Sequence, residues 1–205
     1  MKIGVLISGR GSNLKSLIDA CATPGFPAEM VLVISNKADA GGLQFARDAG
    51  IPTRVVSHRD YDSREAFDRV MDEALREAGV DFVCSAGFMR ILSDEFVEKW
   101  RDRQLNIHPS LLPSFKGLNV YARAIEAGCK ISGCTVHFVR AAMDEGPIVA
   151  QTAVPVLEGD TPETLAARIL EAEHKLYPHA LRLVAEGRVT IVDERCVIEG
   201  DSTTA

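Results

Sequence analysis

The chain has 205 residues, 46% hydrophobic and 25% charged, which fits a globular protein of one or at most two domains with a sizeable core. A net charge of −6 excludes a nucleic-acid-binding stripe as the leading reading but leaves room for a local anion pocket. Five cysteines at irregular spacing, with no Cys-x-x-Cys, read as reduced thiols rather than disulfides or a metal site.

The opening MKIGVLIS is too short for the apolar core of a signal peptide plus a cleavage site. No run approaches the roughly 18 apolar residues of a membrane span, so no membrane partner and a cytoplasmic location are expected. From the N-terminus, apolar runs alternate with helical patterns. The pattern predicts strands at 2–8, 29–35, 53–56 and 81–86, and a further strand ending at His108. Between them it predicts helices at 12–22, 40–49, 63–78 and 93–100. In the helix at 63–78, Phe67, Val70, Met71, Ala74 and Leu75 recur at helical spacing. Such alternation implies an α/β fold: a mostly parallel, Rossmann-like sheet with helices on both faces.

The later part changes character. Segments 132–139 and 147–156 read as an antiparallel hairpin around MDEGP. Thr161-Pro162 opens a helix, with Leu165, Ile169, Ala172 and Leu176 at 4-3-4 spacing, and Gly187 closes the region. A small β finish follows at 188–198. One domain over 1–198 is expected, with 199–205 as a frayed tail.

SGRGSN, at 8–13, follows the first strand and opens the first helix. Glycines permit a tight turn, and helix-start N–H groups suit a phosphate. A dinucleotide fingerprint wants a small residue at 14 and an acid ending the second strand. The chain has Leu14 and then Ser35-Asn36-Lys37. A Walker Gly-Lys-Ser/Thr is absent as well. A monophosphate held by backbone amides with Ser12 and Asn13 is the reading that remains.

In LNIHPSLLPSFKGLN, at 105–119, Leu105 and Ile107 alternate with Asn106 and His108. Successive side chains of a strand face opposite ways, so Asn106 and His108 share a face. Pro109 ends the pairing. An amide N–H can stabilise an oxyanion and an imidazole can move a proton near neutral pH, which points to carbonyl chemistry. An acid nearby would hold the imidazole charged. Asp144 and Glu145, in the hairpin turn, are both candidates. Without a Gly-x-Ser-x-Gly or a cysteine in a nucleophile context, direct transfer is expected rather than a covalent intermediate.

The Asn-x-His-Pro-Ser-Leu-Leu-Pro segment, AGFMRIL at 86–92 and the opening VLISGRGSN together resemble the phosphoribosylglycinamide formyltransferases, within the wider folate-dependent formyltransferases. The resemblance covers about residues 1 to 193. It implies an enzyme of purine biosynthesis that moves the formyl group of 10-formyltetrahydrofolate to the amine of glycinamide ribonucleotide, with no metal. It also implies small-molecule partners; a monomer or a homodimer is expected, a choice the sequence leaves open. Matched by position, Asn106, His108 and Asp144 look like the catalytic triplet. Gly11, Ser12 and Asn13 would take the substrate phosphate, Gly87 would let backbone approach the substrate, and Glu173 would hold the ribose. Arg64, Met89, Arg90, Ile91 and Leu92 would form the folate pocket, with Arg140, Ala141, Ala142, Met143 and Asn106.

The chain departs from the pattern at Leu170, Asn119 and Glu145, which touches ribose contacts and loop detail. A formyltetrahydrofolate deformylase, with water in place of the amine, and a non-catalytic nucleotide-binding module are the alternatives.

Overall fold

The apolar run KIGVLI becomes strand β1 (Lys2–Ile7), whose Ile3, Val5, Leu6 and Ile7 are fully buried. A strand covered on both faces has no polar side, and this is why it reads as a continuous hydrophobic run. A computed structural model describes residues 1–200. The chain divides into two compact units, Met1–Asn106 and the part from Ile107 onward.

In the first unit, β1 is followed by α1 (Ser12–Cys21), β2 (Glu29–Ser35), α2 (Gly42–Asp48), β3 (Thr53–Val55), α3 (Arg64–Glu77), β4 (Phe82–Ser85) and α4 (Asp94–Lys99). Strand β5 (Gln104–His108) runs across the boundary between the units. The strand order is β3-β2-β1-β4-β5 and every pairing is parallel. Helix α3 starts where Ser63 Oγ accepts the Ala66 N–H, and it stops before Gly79 at φ +67°. Its Phe67, Met71 and Leu75 pack with Leu6, Ile34, Val83, Phe96 and Trp100. Each such side chain contributes about 1.5–3 kcal/mol on burial. Buried Asp72 accepts from Trp100 Nε1 at 3.0 Å and Arg76 Nε at 2.9 Å, so this carboxylate is paired.

The second unit holds α5 (Val120–Glu126), β6 (Ile131–Phe138), β7 (Ile148–Pro155), α6 (Pro162–Ala185), β8 (Val189–Val192) and β9 (Arg195–Ile198). Strands β6 and β7 pair antiparallel, with a register shift between Val136 and His137. Helix α6 packs on both, and Thr161 and Thr164 close a reciprocal cap at its start. Leu165, Ile169 and Leu176 are buried as the spacing predicts. Pro178 sits inside α6 without ending it.

The fold class is the expected one: α/β, mostly parallel, with helices and an added antiparallel hairpin. Two elements were not predicted, a 3₁₀ turn at His58–Asp60 and α5. Helix α5 has only seven residues, and although Asn119 at its cap position is a usual start residue, it sits in the left-handed region with no side-chain cap bond, and no Glu or Gln three residues on completes a capping box. Of the segment expected to fray, Glu199 donates its N–H to the Arg188 carbonyl at 2.9 Å, and 201–205 lie outside the described residues.

Candidate active site

In the first unit the glycine-rich loop is shaped by what it lacks. Gly11 has φ +77°, and a Cβ there would lie 2.4 Å from Gly42 Cα. A Cβ on Gly42 would lie 2.9 Å from Gly11 Cα and 2.8 Å from Ile7 Cδ1. The Gly42 N–H donates to the Gly9 carbonyl at 3.0 Å, locking the two backbones together. The start of α1, with Ser12 half-buried and Asn13 buried, follows directly. Its N–H groups and the positive end of its dipole suit an anion. Gly42 was not singled out by sequence reasoning, because its role depends on a contact across 31 positions of chain.

The segment after β4 is open. Gly87 has φ +75° and nothing within 4 Å of where a Cβ would stand. Met89 is 66% exposed and Ile91 56% exposed, which excludes ordinary core packing for both. Leu92 is half-buried and packs against the core. Arg90 is exposed, as is Arg64 at the start of α3. Asn106, half-buried, pairs in register with Ser85 of β4.

In the second unit His108 and Asp144 come together. The ring Nδ1 lies 3.4 Å from Asp144 Oδ2, with the two side chains only 8% and 10% exposed. His108 Nε2 lies 3.0 Å from the Phe115 carbonyl, which can only accept, so Nε2 is a donor. A ring protonated on both nitrogens satisfies both acceptors. Asp144 Oδ2 also accepts the Gly117 N–H at 2.8 Å. Its neighbour Glu145 turns to Lys116 Nζ at 2.7 Å. Of the two acids in the turn, Asp144 is therefore the one at His108.

The loop between is held from below. Thr135 Oγ1, fully buried on β6, donates to the Ser110 carbonyl at 2.7 Å and accepts the Leu112 N–H at 3.0 Å. Gln151 Nε2 donates to the Leu112 carbonyl at 2.8 Å. Sequence reasoning missed Thr135 and Gln151. It also missed His137 as a neighbour of the pair, with Nε2 3.8 Å from Asp144 Oδ1. Burial holds the His137 ring below its ordinary pKa, opposed by the Phe138 carbonyl and the Asp144 charge. Two polar residues at alternate positions, Thr135 and His137, in an apolar strand were the available signal.

Ala141, Ala142 and Met143 are exposed. The Arg140 side chain is not: it is 10% exposed, with Nε 2.7 Å from Glu194 Oε2. Glu173 is 5% exposed, which excludes a solvated mid-helix role, and its charge acts on the buried Cys134.

A parallel α/β sheet with a glycine-shaped loop at the first helix, and a His–Asp pair whose imidazole ends the fifth strand, belongs to an α/β enzyme class. The chain belongs to the formyl transferase family, whose model matches residues 1–181. It is 44% identical over 200 residues to the phosphoribosylglycinamide formyltransferase of Escherichia coli K12, covering 98% of this chain and 94% of that one. It is 56% identical over 190 residues to the trifunctional purine biosynthetic protein adenosine-3 of Bos taurus, covering 93% of this chain but 19% of the relative's length. The crystal structure of glycinamide ribonucleotide transformylase 1 from Symbiobacterium toebii superposes with a TM-score of 0.95 at 51% identity, over 97% of this chain and 93% of that one. No helix among the described residues is long and apolar enough to cross a membrane.

Proposed function

We propose that this chain transfers the formyl group of 10-formyltetrahydrofolate to the amine of glycinamide ribonucleotide. The observation that carries the reading is the His108–Asp144 pair, found in a chain matching the E. coli formyltransferase over nearly its whole length. In this reading the amine nitrogen attacks the formyl carbon and the C=O electrons move to oxygen. The Asn106 amide N–H donates to that oxyanion. His108, charged beside Asp144, stabilises it further and gives a proton to the departing folate nitrogen as the C–N bond breaks. The proton lost by the attacking amine returns to the pair, with Asp144 shuttling it through water. One C–N bond forms, one breaks, and one proton crosses from amine to tetrahydrofolate.

Gly11, Ser12 and Asn13 take the phosphate and Glu173 the ribose, while Gly87 leaves the substrate room. Arg64, Met89–Leu92 and Arg140–Met143 hold the folate. The exposed apolar Met89 and Ile91 support this, since an apolar wall suits a flat ring. For Arg140 the support goes to its backbone, because the guanidinium is engaged by Glu194. The family match, over residues 1–181, runs through both units, which supports one formyltransferase domain over 1–198. In this reading the domain is cytoplasmic, a monomer or homodimer, and works without a metal. The test is release of tetrahydrofolate with and without glycinamide ribonucleotide. Release only with the nucleotide is expected, and release without it would make the chain a deformylase.

A further inference from the structure

Residues 89–92 have no regular structure, yet both ends of the segment are pinned by buried side chains of the first unit. At one end Ser8 Oγ, 4% exposed, accepts the Met89 N–H at 2.8 Å. At the other, Asp68 Oδ2, 2% exposed, accepts the Ser93 N–H at 2.5 Å. Between the pins Leu92 packs against the core, whereas Met89 and Ile91 point into solvent and cannot anchor the backbone themselves. Ser93 is in turn the cap of α4, its Oγ accepting the Phe96 N–H.

We propose that Asp68 is a positioning residue for the folate donor: by holding the Ser93 N–H it fixes the backbone of Arg90–Leu92 as the wall on which the pteridine rests. The inference deepens the formyl-transfer reading and rests on it.

A carboxylate is a poor core filler. Charged side chains are almost never fully buried unless paired, and an apolar residue of similar volume is often as stable. Asp68 has no ion-pair partner within 4.0 Å among the described residues, and its Oδ1 accepts no hydrogen bond there. Asp68 lines a slot of about 10 Å³ with Glu65, Arg69, Asp72, Glu95 and Lys99, room for about one water. Burial raises its carboxyl above the ordinary value, opposed by the hydrogen bonds to Ser93 and the charge of Arg64. Arg64 stands one turn earlier on α3, so a single helix presents both the proposed folate cation and the clamp on the folate wall. A buried acceptor kept at this cost, with one oxygen on the C-terminal end of a segment whose Met89, Arg90 and Ile91 side chains are exposed, serves the geometry of that segment.

The experiment compares Asp68→Ala and Asp68→Asn by Michaelis constants for both substrates and by equilibrium titration with reduced folate. Asp68→Ala is expected to raise the folate KM about tenfold, since small misplacements of a positioning group are costly. The nucleotide KM should stay within about twofold, and Asp68→Asn, which keeps an acceptor oxygen, should restore the folate KM. An Asp68→Ala variant with wild-type folate affinity, or with both KM values rising together, overturns the inference. If Asp68→Ala does not fold, Asp68→Leu fills the space without an acceptor and is read the same way. If neither folds, Asp68 serves the fold alone and the inference is overturned. A wild-type protein that binds folate but transfers no formyl group would instead remove the reading on which it rests, while the titration still reports on Asp68.

Discussion

The loop at Gly9–Asn13 and the region from His108 to Asp144 are built by opposite means. The loop is defined by side chains that are missing: two glycine backbones, Gly11 and Gly42, approach so closely that neither tolerates a Cβ. The His108 region is defined by side chains that are present: Thr135, Gln151 and Asp144 each hold backbone groups of the loop after β5, and Asp144 meets the imidazole as well. A glycine-shaped site should fail by added bulk and a side-chain-shaped site by lost hydrogen bonds. The two therefore respond differently to substitution.

The largest effect is expected at the reacting groups. Asn106→Ala should lower kcat by about 100- to 1000-fold, the usual loss for one oxyanion donor, with KM values little changed; steady-state kinetics would show it. Asp144→Asn can still accept the Gly117 N–H but loses its charge, and a fall of about 100-fold in kcat is expected. Gly11→Ala should act differently. With φ +77° and backbone 2.4 Å from the new Cβ, it should raise the nucleotide KM about tenfold and lower the melting temperature, leaving the folate KM near wild type. A Gly11→Ala enzyme that lost kcat alone would break the contrast.

A smaller effect concerns pH. Burial keeps the His137 ring below its ordinary pKa. As pH falls below about 6.5, the unfolded chain takes up a proton that the folded ring resists, so stability drops. His137→Gln should flatten that part of the melting-temperature profile between about pH 7 and 5.5. The smallest effect serves as a control on α6. Arg168 holds the Asp160 carboxyl well below the carboxylate range. Its stabilisation is present above about pH 4 and is lost as pH falls toward the folded value. Asp160→Asn should lower the melting temperature slightly at pH 7, and the difference should vanish in acid.

The glycine loop and the Asn106-x-His108 pair were legible in the sequence because their information is local: a turn between strand and helix, and alternation ended by proline. Partnership was not. Residue type alone left Asp144 and Glu145 equally eligible; the family resemblance pointed to Asp144, and the loop path, in which Glu145 turns to Lys116, places it rather than Glu145 at His108. His137 was visible as a residue but not as a neighbour of Asp144, since that depends on the register shift after Val136. Met89 and Ile91 were ambiguous between core and pocket, because an apolar triplet after a strand looks the same in either role. Their exposure excludes the core role.

The most direct test of the His108–Asp144 pair is a double-mutant cycle on kcat/KM, with His108→Ala, Asp144→Ala and both together, each checked for folding by circular dichroism. If the two side chains act as one proton-handling unit, His108→Ala should cost about 100- to 10,000-fold. The double variant should then be scarcely slower than His108→Ala alone. Losses that simply multiply, or a His108→Ala enzyme as fast as wild type, would contradict it.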